Sequence, residues 1–600
     1  MYKIAILLVL AFLVRIVGIN WDQGFHLHPD ERAIILVSEN IRFFSNLNPH
    51  FFNYGSLPIY LLKGATQIFA AFFPSSMTEY FRMLYVGRVL SVVFDIATVY
   101  LLYQIAVLVF KDEKLALLSS FFYAIAFFPI QNAHFYIVDV PLTFFITLCM
   151  YLLLLYIKKP SMKLVVFMGA TLAAAVATKF TAIILLLPAI FVLVARRTST
   201  TQQYNHTTIR PSNHFIVGLL LFPFSFFLFT FLFMPYAFLD YQKFLADISL
   251  QIKLNNNPYA FPYTLQYVAT TPYLYYLKNI FLWGAGPIIS ILSVVGFVVI
   301  LSPMFHRTKD LDEATSDVAK SKKNANARFF GLRPQNDEWW LPSSLVMFYG
   351  WYFLVVGQSA AKFMRYMLPL YPFFAMLAGY GFYKLYNVTG PAATFPPASA
   401  PPTNVGVRAV GSPSSRVTRH IVFAILVTAV FWTFAFMNIY SQKHTRVAAS
   451  EWMVKNIPSG STLAVEHWDD RLPLFGQERY RFEELPLYDL PDDRNKWAKL
   501  NEKFGRSDYL IIASNRLYRP LQKLSDCKRY KVCYPETSGY YKRLFEGTLG
   551  FSKVAEFTSY PSLKIGSWKL KIPDDTADES FTVYDHPKVL IFRKFTSKTM

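Results

Sequence analysis

A chain of 600 residues with 54% hydrophobic and 18% aromatic content, its apolar residues gathered in long runs, exceeds the apolar share of a soluble domain and reads as an α-helical polytopic membrane protein. The net charge of +21 does not point to nucleic acid, because the excess lies in short loops between apolar runs and not beside stacking aromatics. Three cysteines exclude a disulfide scaffold and leave no ligand-spaced cluster for zinc.

In chain order, MYKIAILLVLAFLVRIVGINW comes first. It lacks a small-residue cleavage pattern and Arg15 interrupts its apolar run, so it reads as a retained first membrane helix and not as a signal peptide. HLHPDERAIILVSENI follows. Pro29 pre-sets a helical first turn, and Ile34, Val37, Ile41 and Phe44 recur at 3–4-residue spacing, which predicts an amphipathic helix on the membrane surface with Asp30 and Glu31 at its N-terminus. Carboxylates in a first turn are favoured by about 0.3–1 kcal/mol against the macrodipole whatever else they do. The pair is therefore either catalytic or a device of the helix start.

Apolar runs at 3–20, 88–110, 115–131, 142–157, 164–178, 180–195, 215–235, 279–301, 342–357, 366–386 and 420–438 predict eleven spans. A further run, 54–73, decides the parity of all later ones. The connections 111–114, 158–163, 196–214, 306–333 and 387–419 alternate along the chain and hold about eighteen Lys and Arg, against about six in the opposite short loops, so the positive-inside rule makes them cytoplasmic. With a cytoplasmic N-terminus the 54–73 run then stays in the first outer loop, 20–87, as a surface or re-entrant helix. The stretches within 306–333 and 387–419 are polar or rich in Pro, Ala and Ser and read as linkers, and the sequons at Asn205, in 196–214, and at Asn387 are chance matches on the cytoplasmic side. Cys149, inside an apolar run, reads as inert core.

After the transmembrane part, 1–440, the character changes. In 441–600 SEWMVKNI has a helical pattern, while TLAVEH, DYLIIAS, SFTVYDH and KVLIFRK read as strands, which predicts an extracytoplasmic α/β domain. Cys527 and Cys533 lie within it, either bridged or free.

Four charged residues sit at outer ends of spans. Asp139, in HFYIVDVPLTFF, costs about 2.5–3.5 kcal/mol at a helix centre and less near an end, so it is either functional or a cap for the span that Pro141 opens. Lys179 and Arg365 each fall at an outer turn, where a cation either stabilises a departing phosphate or snorkels to headgroups. Arg88 opens the second span. The outer loop 236–278 carries Tyr259, Tyr263, Tyr267, Tyr273, Tyr275 and Tyr276, suited to sugar rings or prenyl chains, although an interfacial belt is the commoner cause of such a cluster. His26 and His28 flank the acidic pair without a third convergent metal ligand. HWDD at 467–470 and YDHP at 584–587 are read as surface turn chemistry.

Around Asp30 and Glu31 the chain resembles the phospholipid-carrier-dependent glycosyltransferases of the protein mannosyltransferase and lipid A aminoarabinose transferase type, membrane enzymes of the GT-C fold. In them an Asp-Glu pair opens the first outer loop and its Asp is the proposed base. The resemblance implies an inverting transfer of a monosaccharide from a polyprenyl-phosphate donor to an acceptor hydroxyl of protein, lipid or cell-envelope glycan, at the extracytoplasmic face of the cell membrane. It implies Asp30 as base, with Glu31 and Asp139 in the catalytic set and Lys179 and Arg365 at the donor phosphate. One departure concerns the lysine that precedes a proline in the first-loop helix of the aminoarabinose transferases: here that position is Leu57, and Lys63 or Arg88 stands in as candidate. No cofactor is called for, no metal site is assigned, and a divalent ion stays open. An oligosaccharyltransferase would carry a WWDYG-like segment, which HWDD matches poorly. The rival classes are a membrane transporter, which would show inverted repeats and midplane charges, and a non-catalytic membrane scaffold.

Overall fold

The computed structural model describes residues 2–73, 77–200, 213–301, 340–388 and 413–595. The two linkers expected within 306–333 and 387–419, apart from their edges, and the sequon at Asn205 lie outside these residues.

Every expected apolar run within the described residues is helical. The chain opens with α1 (Tyr2–Ile16), α2 (Pro29–Asn40), α3 (Leu57–Phe72), α4 (Glu79–Phe110), α5 (Glu113–Ala124), α6 (Phe127–Ala133), α7 (Asp139–Lys158) and α8 (Met162–Thr178). It continues through α9 (Leu186–Thr200), α10 (Asn213–Phe233), α11 (Tyr236–Leu239), α12 (Tyr241–Asn255) and α13 (Leu274–Asn279). Then come α14 (Gly286–Leu301), α15 (Trp340–Val356), α16 (Tyr371–Val388) and α17 (Pro413–Met437). Side-chain caps start several of them: Thr78 accepts from Phe81 N, Asp112 from Lys114 N and Leu115 N, and Ser161 from Leu164 N. Among the described residues α4, α7, Ile216–Phe233 and the run Phe423–Asn456 are each long and apolar enough to cross a membrane alone. The pair α5 and α6, bent by 59° at its break, passes the same test only as a unit, which makes it either a broken span or a re-entrant loop. The remaining apolar helices are shorter, and the 54–73 run is α3, packed on α2 and α4.

Charges inside the helical half are compensated. Arg15 is fully buried and pairs with Asp95 of α4, which also accepts from the Tyr123 hydroxyl at 2.5 Å. An unpaired charge at that depth would cost several kcal/mol. Cys149 is buried in the core.

After α18 (Thr445–Asn456) the chain forms a five-stranded sheet in the order β2-β1-β3-β7-β4. β1 (Thr462–Glu466) lies parallel to β2 (Arg481–Leu485) and to β3 (Tyr509–Ile512), while β7 (Val589–Lys594) runs antiparallel to β3 and to β4 (Phe551–Phe557). α19 (Arg494–Arg506), α20 (Tyr518–Lys523) and α21 (Pro535–Phe545) cover one face with Trp497, Phe504 and Tyr540, and α18 covers the other with Met453 and Ile457. β5 (Ser562–Ile565) and β6 (Trp568–Lys571) make a separate hairpin. Cys527 and Cys533 are bridged. The segment SFTVYDH, expected as a strand, is instead the short α22 (Glu579–Thr582) and a turn. Asp578 caps it from Ser580 N, and Phe581 packs on Phe127, Trp283 and Phe436 of the helical half. Burial on all sides makes its apolar alternation an interface and not a sheet face.

Glu466 ends β1 in the domain interior, 5% exposed. Burial pushes its carboxyl up to about 8, against hydrogen bonding from Tyr541 that lowers it and together with Asp469 that raises it. The native state therefore keeps a proton that the unfolded chain gives up above its ordinary value of 4.5. The stability this group supplies is complete below that value and is lost as pH rises towards about 8, with a slope of about 1.4 kcal/mol per pH unit. Glu466→Gln, neutral at every pH, should flatten this slope, so its thermal midpoint relative to wild type should climb between pH 5 and pH 8. A constant difference across that range would place the ionisation elsewhere.

Candidate active site

Proline at the first position of α2 sets the helix start, and the two carboxylates that follow point about 100° apart around the axis. Glu31 faces inward and is fully buried. Its oxygens accept from Arg88 Nε at 3.0 Å and Nη2 at 2.7 Å, and from the Tyr136 backbone N–H at 2.9 Å. The same guanidinium donates to Asp22 at 3.0 and 2.7 Å and to the Ile19 carbonyl at 2.8 Å. Asp22, Glu31 and Arg88 all show no exposed side-chain surface. This network ties α2, α4, the end of α1 and the loop before α7 into one piece.

Asp30 faces the other way. It pairs with Arg365 and accepts a hydrogen bond from the Tyr54 hydroxyl. Burial would raise its pKa, but the Arg365 guanidinium together with His28 and Tyr54 holds it below the ordinary carboxylate value, so Asp30 is ionised at neutral pH. Asp139, the first residue of α7, accepts from Lys179 Nζ at 2.6 Å and lies 3.9 Å from Arg365 Nε. Lys179, just past the last residue of α8, also sits 4.3 Å from the Tyr366 ring centroid. Two carboxylates and two cations thus meet at helix ends. Asp30 is 21% exposed and Asp139 only 2%, so Asp30 is the carboxylate that a substrate can reach.

The backbone brings these elements together at Gly55, whose N–H donates to Thr178 O at 3.1 Å. A Cβ there would stand 1.9 Å from the Ala177 carbonyl oxygen, so only glycine lets the Tyr54 loop rest on the end of α8. Asn255 secures the other wall: its carbonyl accepts from Ala361 N at 3.0 Å and its side chain from the Tyr366 hydroxyl at 3.0 Å.

Of the residues singled out in sequence, Asp30, Asp139, Lys179 and Arg365 come together. Glu31 and Arg88 form the buried network behind them, and Arg88 is not presented to a phosphate because its donors serve Asp22, Glu31 and Ile19. Lys63 lies near the far end of α2, on Glu79 at 2.5 Å and the Glu39 carbonyl at 3.3 Å. Tyr263 stacks on Phe261 at 5.0 Å, with the Arg516 guanidinium 5.8 Å from its ring centroid. Asp30 and Arg365 act on its phenol electrostatically. Tyr267 is 1% exposed between Phe363 and Tyr275, so its ring is wall and not contact surface. Tyr259 gives its carbonyl to the Tyr488 hydroxyl at 2.8 Å.

The two histidines look onto different surroundings. His26 packs on Tyr80 and Phe81, and His28 between Tyr584 and Phe135. Burial pushes His28 down to about 3, so it is a neutral ring in the wall. Among the described residues no three His, Cys, Asp or Glu side chains converge as a metal site.

YDHP, read from sequence as a surface turn, is buried instead, whereas HWDD is the expected turn, with His467 and Trp468 exposed and its two aspartates held from within. Arg446 donates to Asp469 at 2.7 Å and to Asp470 at 2.5 Å. His586 lies between Asp585 at 2.5 Å and Asp574 at 2.9 Å, and Asp585 accepts from Gln131 at 3.0 Å and from the Tyr440 hydroxyl at 2.8 Å. Burial opposes the charge on His586, yet Asp585 and Asp574 raise its pKa to about 10, so it is a cation. Sequence reading missed Asp22 and Tyr54, neither of which lies at a telling spacing from Asp30, and took Asp585 of YDHP for surface chemistry.

Residues 68–225 match the family model described as dolichyl-phosphate-mannose-protein mannosyltransferase, a stretch that includes Arg88, Asp139 and Lys179. No curated protein matches the chain. Among solved structures it is similar to the oligosaccharyltransferase AglB from Archaeoglobus fulgidus in complex with an inhibitory peptide and a dolichol-phosphate, at 13% identity and a TM-score of 0.45, over 97% of this chain and 77% of that one. ArnT from Cupriavidus metallidurans bound to undecaprenyl phosphate matches at 13% identity and a TM-score of 0.39, over 87% and 94%. The Saccharomyces cerevisiae O-mannosyltransferase Pmt1-Pmt2 complex bound to the sugar donor matches at 16% and 0.30, over 40% and 34%.

The two arginines should respond differently to neutralisation. Arg88→Met leaves two buried carboxylates unpaired and should cost about 3–5 kcal/mol of stability. Arg365→Met, beside partly exposed groups, should cost clearly less. Thermal unfolding of both variants in detergent checks this, and equal losses would contradict the division into buried support and open site.

Proposed function

We propose that the chain is a membrane glycosyltransferase that moves a monosaccharide from a polyprenyl-phosphate donor to an acceptor hydroxyl at the extracytoplasmic face. The observation that carries this reading is the pairing of a reachable, ionised Asp30 with Arg365 and Lys179 at the ends of helices. An acceptor hydroxyl loses its proton to Asp30 while its oxygen attacks the anomeric carbon. The bond from that carbon to the phosphate oxygen breaks with inversion, and the lipid phosphate, now carrying added charge, stays between the two cations. Before donor binds, Arg365 rests on Asp30. A donor phosphate competes for that guanidinium, which loosens its hold on Asp30 and makes the carboxylate a better base where a base is wanted.

Charges at helix ends favour this over a transporter, whose ionisable groups would line a midplane path. A scaffold has no need of a partly open carboxylate between two cations. The charge asymmetry of the loops supports eleven spans with 441–600 outside the cell membrane.

Asparagine keeps the shape of aspartate without its basicity, so Asp30→Asn should lower turnover about 100- to 10,000-fold with donor affinity preserved. Single-turnover kinetics with a lipid-linked donor in detergent read this directly, and near-normal turnover would transfer the role to Asp139. Because cations take the leaving charge, activity should survive EDTA, whereas Arg365→Ala and Lys179→Ala should each weaken donor affinity about tenfold or more. Loss of activity on chelation with recovery on adding a divalent ion would reject this scheme.

A further inference from the structure

A cleft of about 360 Å³ opens in the outer domain at the carboxyl ends of β1 and β2, within the usual size of small-molecule sites. In open α/β sheets ligands gather at the carboxyl ends of parallel strands, where the loops leave room above the sheet. The base of the cleft is Glu466, whose Oε1 accepts from Tyr541 at 2.7 Å while Oε2, buried, has no partner. One wall is Trp468, 39% exposed and held at a φ of 79°, a conformation rare for a bulky residue. Its carbonyl accepts from Arg516 Nη1 at 3.0 Å, which helps to keep the indole in place. The opposite wall is balanced in charge. Arg471 pairs with Glu484, His467 lies 3.5 Å from the same carboxylate, and Gln477 adds an amide. Asp469, which also lines the cleft, is taken by Arg446.

Such walls suit neither a phosphate nor a polycation. They combine an aromatic face with neutral or internally paired donors and acceptors, the chemistry that holds a hydroxylated ring by its C–H face and its hydroxyls. We propose that this cleft binds a neutral saccharide, and that the acceptor hydroxyl is therefore a sugar hydroxyl. The acceptor assignment rests on the reading of Asp30 above. The cleft is joined to that site: Arg516 bridges the Trp468 carbonyl to the Tyr263 ring, and Arg32 of α2 lies 3.7 Å from Asp470.

The test uses the full chain in detergent with methyl α-mannoside, methyl β-glucoside, methyl β-galactoside and their disaccharides as probes, read by saturation-transfer NMR and calorimetry. Lipid-linked donor turnover is measured on the same preparation. At least one probe should bind in the millimolar range, Trp468→Ala should weaken it about tenfold, and Trp468→Phe, which keeps a ring, should retain most of it. Absence of binding by every probe, or equal binding by Trp468→Ala, overturns the saccharide site even if donor is turned over. Binding that Trp468→Ala loses, in a protein without donor turnover, upholds the cleft and removes the proposed function instead.

Discussion

Arg88, held between Asp22 and Glu31 with no solvent in reach, is the interaction on which the rest of the structure depends. A guanidinium and two carboxylates in a low-dielectric interior are tolerable only when each finds partners, and here the partners come from separate segments: the loop after α1, the start of α2 and the body of α4. Removing any one would strand the others. The helix start is thereby locked in rotation as well as position, and with Glu31 turned inward Asp30 has only the open side to face. The orientation of Asp30 is thus a by-product of burying its neighbour.

Behind that lock the two halves of the molecule share a wall. The neutral ring of His28 lies between Phe135 of the helical half and Tyr584 of the C-terminal domain, with ring centroids 4.8 and 4.0 Å away. Asp585 takes hydrogen bonds from Gln131 of α6 and Tyr440 beyond α17, and His586 neutralises much of the charge that accumulates there. From the same domain Lys523 donates to the Gln266 and Val268 carbonyls, pinning the tyrosine-bearing loop. The C-terminal domain therefore forms part of the site's roof, and Arg516 links its sheet to the tyrosine-bearing loop.

The legible features were those with a local signal. Asp30 stood out through its place directly after the first apolar run, where the glycosyltransferases that the chain resembles carry an acidic pair, and Asp139, Lys179 and Arg365 because charge at the end of an apolar helix is costly unless it has a task. Arg88 carried the same local signal and a different role, since a cation bound for a substrate and one bound for two buried carboxylates look alike in sequence. Tyr267 was grouped with Tyr263 by proximity, yet Phe363 and Tyr275 enclose it. SFTVYDH alternates like a strand and is short helix and turn, because its neighbours on every side are apolar and Asp578 caps it.

The amino-acid sequence by itself determined the helical runs, the C-terminal α/β domain and the presence of charges at the ends of apolar runs, because hydrophobic period, length and the cost of an ionised group in lipid are read one segment at a time. Which charges meet was decided only by the tertiary structure. Asp30 and Arg365 are more than three hundred positions apart, and their pairing follows from the burial of Glu31 on Arg88, the glycine that lets the Tyr54 loop touch α8, and the hold of Asn255 on the Arg365 turn. Each of these is a contact between segments, and no periodicity within a segment encodes it.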